Sequence, residues 1–248
     1  MSCGFIDVLS EHQAKEAVTL VHKLNKLWIS RSPNVVPFYT LGAVTYIDAC
    51  RSNEQYHKHR KVLNPVLLKN FSWLYDIVLA KLQTVFGPCE LLSDVAYPGF
   101  HIFGTKLDET IHPYAIESMK KPLASLHVDL QYREHYSIWN RYGEIDYDDL
   151  FSFTLALELP RSGGGLYLWD DVDLTSQQID TFNFQDPRDK ENQVPTPRYI
   201  EYEVGKLFYH TGHILHQIAP ATDLQDGDRR ITLQGHGVNC QGVYKIYF

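Results

Sequence analysis

Hydrophobic positions change period part-way along this chain. Between Ser10 and about Ile29, residues Ala14, Ala17, Val18, Val21, Leu24 and Leu27–Trp28 recur at three- and four-residue intervals, which marks one face of a helix. Ser10 is placed to cap that helix, and Glu11, Lys15 and Lys23 give it a wet side. A second helical pattern runs from about Asn53 to Phe86. Pro65 lacks a backbone donor and is predicted to kink or split it. Its second half, LLKNFSWLYDIVLAKLQTVFG, is amphipathic and stops at Gly87–Pro88. The stretch between the helices, FYTLGAVTYIDA (38–49), fits a strand or a short helix equally well.

After Pro88 the period falls to two. Strands are expected within ELLSDVAYPGFHIFG (90–104), SLHVDLQY (125–132), FSFTLALELP (151–160), GGLYLWDD (164–171), RYIEYEVGKLFYH (198–210), RRITLQGHGV (229–238) and GVYKIYF (242–248). Arg161-Ser162-Gly163-Gly164-Gly165 and Gln225-Asp226-Gly227-Asp228 supply turn signals between them. Helices first and strands afterwards predict an antiparallel sandwich or barrel with helices packed against it. The expected organisation is one domain over 1–248, with a helical buttress at 1–88 and a β core at 89–248.

Residues 170–203 interrupt the strands with a long polar segment. It holds nine acidic and three basic residues, which accounts for most of the net charge of −7. Such an insertion reads either as a lid or as a solvated acidic loop.

Composition narrows the partners. There is no Lys/Arg-rich run, which disfavours nucleic acid and anionic membranes. Cys3, Cys50, Cys89 and Cys240 form no CxxC pair, so a zinc ribbon or thioredoxin-type motif is excluded. The start, MSCGFIDVLSEHQAKE, has no basic-then-apolar leader pattern. No apolar run approaches the roughly 20 residues that span a bilayer. The expectation is a soluble cytoplasmic protein with reduced thiols and an undetermined oligomeric state.

Polar residues on the strands carry the chemistry. HTGHILHQ (210–217) places His210, His213 and His216 at three-residue spacing. In His127-Val128-Asp129, strand alternation puts His127 and Asp129 on one face. An imidazole and a carboxylate side by side make two thirds of a facial metal site, and His216 is the best candidate to complete it. Two histidines and one carboxylate with open positions suit non-haem Fe(II), although zinc accepts the same ligands. In RITLQGH, Arg230, Thr232 and Gln234 share a face, while Ile231 and Leu233 share the other and are expected to pack outward. An inward guanidinium needs an anion, and its fork matches a carboxylate. Arg229 points to the opposite face, so Arg230, with Thr232 beside it, is the one expected inside.

These three parts, the HxD of LHVDLQY, the distal histidine of GKLFYHTGHILHQIAP and the Arg-x-Thr of GDRRITL, resemble the Fe(II)/2-oxoglutarate-dependent oxygenases. The resemblance covers roughly residues 90–240. It implies a double-stranded β-helix, a jelly-roll, cupin-like barrel buttressed by helices. It implies that His127, Asp129 and His216 hold Fe(II) and that Arg230 and Thr232 bind the far carboxylate of the cosubstrate 2-oxoglutarate. O₂ is then consumed, succinate and CO₂ are released, and an unactivated C–H of a substrate is hydroxylated. Related halogenases lack the carboxylate ligand, so the presence of Asp129 favours hydroxylation. The family pattern leaves His210 and His213 outside the ligand set.

The overall look of the chain is similar to bacterial hydroxylases of free amino acids and other small metabolites. The acidic insertion, with Glu144, Asp146, Asp148 and Asp149, would suit a cationic substrate such as a basic amino acid. Tyr132, Trp139, Tyr167 and Trp169 are candidate pocket walls, and His101 is a candidate inward histidine. His57 and His59 lie among charges and are expected to be solvated. The alternatives are a peptide or protein hydroxylase on the same fold, a non-enzymatic cupin-like binding protein, and a zinc hydrolase.

Overall fold

The computed structural model describes residues 3–31, 38–45, 52–104, 115–122, 124, 126–174 and 196–248. The chain opens with β1 (Cys3–Asp7) and α1 (Glu11–Lys23). Ser10 caps α1 through a reciprocal box: its hydroxyl accepts from the Gln13 amide, and the Gln13 side chain accepts from the Ser10 amide. Ala14, Ala17 and Val21 are its buried positions. Trp28, past the helix end, donates from Nε1 to the Val21 carbonyl at 3.1 Å.

β2 (Ile29–Ser30) and β3 (Phe38–Leu41) lead to α2 (Asn53–Phe86). The first part of the ambiguous 38–49 stretch is therefore strand, and residues 46–49 lie outside the described residues. Pro65 does not split α2. The backbone departs from helical angles at Phe71 instead (φ −126°, ψ 16°), where the side chain is fully buried against Phe100 with ring centroids 4.6 Å apart. Gly87 ends the helix at φ 84°, a conformation that glycine adopts without a Cβ clash.

Then follow β4 (Cys89–Leu91), β5 (Gly99–Gly104), α3 (Ala115–Met119), a 3₁₀ turn at Gln131–His135, α4 (Tyr136–Trp139) and β6 (Ile145–Glu158). After these come β7 (Ser162–Gly163), β8 (Leu166–Asp173), β9 (Arg198–Ile200), β10 (Lys206–Thr211), β11 (Ile214–Ile218), β12 (Ala221–Thr222), β13 (Arg229–Cys240) and β14 (Val243–Tyr247). Among the described residues the large sheet runs β1-β10-β6-β13-β5-β3-β2, with β14 on β13 and β4 parallel to β14. A smaller sheet runs β11-β8-β9, and β12 pairs with β7.

Alternation assigns the two faces of the large sheet. Phe151, Phe153, Leu155 and Leu157 of β6, Ile231 and Leu233 of β13, and Phe100 and Ile102 of β5 join one core with Ala17 and Val21 of α1 and Leu63, Leu67, Leu74 and Val78 of α2. Ile231 and Leu233 thus pack on the face away from Arg230, and both are fully buried beneath the helices. On the opposite face, Ala156 and Phe208 meet Leu166, Leu168, Ile200 and Ile214 of the smaller sheet. Burying both faces of one sheet accounts for runs such as FSFTLALE, in which apolar residues carry one face and small or polar residues the other. The space between the two sheets is where the polar side chains gather.

Residues 126–130 are not a strand. His127 makes an isolated antiparallel bridge with His216, with amide-to-carbonyl distances of 3.1 and 2.9 Å, and the Asp129 amide donates to the Gly212 carbonyl at 2.9 Å. Three backbone hydrogen bonds thus fix the direction of the segment without a full ladder. Within the acidic insertion, β8 and β9 pair antiparallel and Asp170 binds Arg198 through two bonds of 2.6 and 2.7 Å. Residues 175–195 of that insertion lie outside the described residues. No described helix is long and apolar enough to cross a membrane.

Candidate metal centre between the sheets

His127, Asp129 and His216 come together, with one ligand atom from each lying within 4.8 Å of the others. His216 Nε2 is 3.6 Å from Asp129 Oδ2, and His127 Nε2 is 3.8 Å from Asp129 Oδ1. The two imidazole rings lie 4.4 Å apart. Asp129 and His216 are buried, whereas the His127 side chain keeps 28% exposure and forms the open side of the cluster.

Tautomer follows from partner. His216 Nδ1 lies 2.9 Å from the Ile214 carbonyl, which can only accept, so Nδ1 carries the proton and Nε2 presents its lone pair to Asp129. Burial pushes the His216 imidazole down to about 3, against the pull of Asp129. Burial works against ionisation of Asp129 as well, but the neighbouring His216, His236, His127 and His210 outweigh it and hold the carboxyl well below the usual carboxylate range. A neutral imidazole lone pair on His216, the His127 ring and the Asp129 carboxylate therefore converge on one small space. The donor set fits a divalent metal of the imidazole- and carboxylate-binding kind.

The remaining histidines of HTGHILHQ have other partners. His213 Nε2 is 3.0 Å from the Tyr132 hydroxyl, and His210 donates from Nδ1 to the Thr211 carbonyl at 2.7 Å. Both are buried rather than at the surface, and the His210 ring lies 4.5 Å from that of His216. His101 is also buried, held between Phe38 and Phe248. Burial pushes it well below its ordinary range, with Arg31 and Arg230 adding to the effect. His57 and His59 are half-buried rather than fully solvated.

Arg230 enters the same inter-sheet space from β13. It is 2% exposed; its Nε donates to the Gly164 carbonyl at 2.7 Å, and an Nη lies 3.5 Å from the fully buried Thr232 hydroxyl. The guanidinium lies over the rings of Tyr202 and Phe103, 5.6 and 5.8 Å from their centroids. No described carboxylate pairs with it. A buried guanidinium beside aromatic rings, with no described counter-charge, has the chemistry to pair with a carboxylate. Arg229, one residue earlier, turns the other way and binds Glu158 at 2.9 Å.

Among the candidate wall residues, Trp169 packs with Val128 and Leu215 directly behind the histidine bridge, and Tyr167 stands beside Tyr199. Trp139 is plain core, donating to the Tyr132 carbonyl at 2.8 Å. Two acids expected near the site serve the fold instead: Asp149 accepts from Tyr244 and Asn239, and Asp146 accepts from the Asp148 amide. Three contributors escaped the sequence reading. Ser152, Tyr202 and His236 all reach this space, and strand alternation could have found two of them. Ser152 shares a face with Thr154 and Ala156, and His236 shares one with Arg230, Thr232 and Gln234.

No protein-family profile matches the chain, and no curated protein matches it by sequence. Solved structures do match. An N-substituted L-amino acid dioxygenase from Burkholderia ambifaria AMMD superposes with a TM-score of 0.55 at 9% identity, covering 100% of this chain and 86% of that one. The same dioxygenase in complex with alpha-ketoglutarate (2-oxoglutarate) superposes at 0.54, again at 9% identity and with the same coverage.

The chain shares the fold of this dioxygenase. That is a jelly-roll type, mostly β, with a large antiparallel sheet. At 9% identity the likeness is one of backbone, so the chemistry has to be argued from the side chains described above.

Proposed function

We infer that this protein is an Fe(II)/2-oxoglutarate-dependent dioxygenase that hydroxylates an unactivated C–H of a small molecule, with release of succinate and CO₂. The observation that carries the reading is the convergence of His127, Asp129 and His216 to within 4.8 Å in the space that also holds the unpaired guanidinium of Arg230. His127, Asp129 and His216 would hold the metal. Arg230 and Thr232 would bind the far carboxylate of 2-oxoglutarate, and Tyr202 and Phe103 would keep water from that pair. When bound, iron and 2-oxoglutarate supply the activation of O₂ and the oxidation of the C–H bond.

The chain's own residues hold, orient and shield. The Gly164 carbonyl occupies Arg230 Nε and so aims the remaining N–H groups at the ligand. The Ile214 carbonyl keeps His216 in the tautomer that donates from Nε2. The finer fold reading, a closed double-stranded β-helix with the N-terminal helices as its buttress, fits the burial of both faces of the large sheet. Amino acids, free or N-substituted, are the first substrates to screen, because the superposing dioxygenase is named for N-substituted L-amino acids. The acidic insertion keeps basic amino acids in that set.

The test is turnover. Fe(II)-loaded protein is incubated with 2-oxoglutarate, O₂ and panels of amino acids or peptides, and succinate is measured. Succinate formation stimulated by a free or N-substituted amino acid supports the reading. Stimulation by peptides alone redirects it to a peptide hydroxylase, and absence of succinate with every panel and with no substrate contradicts it.

A further inference from the structure

Ser152 of β6 and His236 of β13 are direct partners across the ladder that joins the two central strands. Both side chains enter the space between the sheets. Ser152 Oγ lies 2.5 Å from Asp129 Oδ2 and 2.9 Å from His236 Nδ1, and His236 Nδ1 is 3.7 Å from the same carboxylate oxygen. All three groups are closed to water, with exposures of 1% for Ser152, 2% for His236 and 3% for Asp129.

Proton counting gives this chain a direction. The serine hydroxyl has one hydrogen, and the carboxylate has none to offer. Ser152 therefore donates to Asp129, and His236 donates from Nδ1 to Ser152. Asp129 stands on a segment without strand pairing beyond the single His127–His216 bridge. Its terminal torsion is also of the broad, soft kind, so backbone geometry alone does not fix the plane of the carboxylate. The Gln131 side-chain amide lies 3.4 Å from Oδ1, a longer contact than the Ser152 bond.

We propose that Ser152 and His236 are a positioning pair that locks the Asp129 carboxylate, holding Oδ2 so that Oδ1, 3.8 Å from His127 Nε2, is turned to the metal. The paired central strands β6 and β13 thereby orient the carboxylate of a ligand whose own segment fixes only its backbone. This rests on the reading of Asp129 as a metal ligand.

The experiment is an anaerobic titration of metal-free protein with Co(II), followed by visible absorbance, with circular dichroism as the check on folding. Loss of an outer hydrogen bond to a ligand weakens metal binding by about 10–100-fold, and that is the loss expected in Ser152→Ala and in His236→Phe. The double variant should lose no more than the worse single one, because both act through the same oxygen. His236→Asn can place an amide N–H where Nδ1–H stood, and should recover most of the affinity.

Folded Ser152→Ala and His236→Phe that bind Co(II) within twofold of the wild type overturn the pair. If Ser152→Ala does not fold, equal affinities for His236→Phe and His236→Asn overturn it instead. Wild-type protein that takes up neither Co(II) nor Fe(II) defeats the metal-site reading itself, which is a different outcome from tight binding by every variant.

Discussion

Arg229 and Arg230 leave β13 in opposite directions: one binds Glu158 at the sheet's flank, and the other is buried against the Gly164 carbonyl between the sheets. One residue of register separates an ion pair at the flank from a buried guanidinium, which we propose binds 2-oxoglutarate. Truncating one member of a buried charged pair costs about 2–5 kcal/mol, so Arg230→Ala should weaken 2-oxoglutarate binding by roughly 30-fold or more. Arg229→Ala, at a partly exposed pair, should change it by less than about twofold. Calorimetric titration of the Mn(II)- or Co(II)-loaded protein with 2-oxoglutarate measures both.

Gly164 has φ 72° and supplies the carbonyl that anchors Arg230; an added Cβ would come within 2.8 Å of the Pro160 ring. A left-handed backbone costs a residue other than glycine about 1–2 kcal/mol. Gly164→Ala should therefore lower the melting temperature and weaken 2-oxoglutarate binding, while leaving metal affinity near the wild-type value. Equal losses of metal and 2-oxoglutarate affinity would argue against a local role.

Metal should stabilise the fold through the three ligands. At a free metal concentration 100 times Kd, a ligand specific to the native state adds about 2.7 kcal/mol, or about 5–10 °C in Tm for a chain of this size. Differential scanning fluorimetry with Co(II) should show that rise for the wild type. Asp129→Asn should show a much smaller one, because the amide offers the metal no charge.

His135 gives a pH dependence of known sign. It is 1% exposed, ringed by Tyr56, Trp139 and Tyr247, and burial pushes its imidazole down to about 4, with His57, Arg60 and His236 adding to the effect. Between roughly pH 6.5 and 4 the unfolded chain binds a proton here that the folded chain does not. This residue's contribution is therefore present above about 6.5 and is lost as the pH falls through that window, at up to about 1.4 kcal/mol per pH unit. Urea unfolding at pH 7, 6 and 5 should show a shallower slope for His135→Phe than for the wild type.

Local chemistry was readable from the chain where a single rule governs it. The Ser10 cap, the Gly87 stop and the opposite facing of Arg229 and Arg230 each follow from one residue's geometry. The HxD pair was read through the wrong element: alternation in LHVDLQY suggests a strand, but only His127 bridges, and Gln131 already begins a 3₁₀ turn. His127 and Asp129 still converge, because backbone bonds to His216 and Gly212 set their direction. Pro65 is accommodated inside α2, and the irregularity falls at Phe71, whose buried ring packs on Phe100. Alternation marks the inward faces of Ser152 and His236, but that the two stand opposite each other depends on the β6–β13 register, which no local pattern encodes.

The proposed site holds iron on His127, Asp129 and His216, with 2-oxoglutarate beside Arg230. Its most direct test needs no substrate. Metal-free protein is mixed anaerobically with Fe(II) and then 2-oxoglutarate, and the visible spectrum is recorded. A weak charge-transfer band is expected, lost in His216→Ala and kept in His213→Ala. Folded wild-type protein that gives no such band would contradict it.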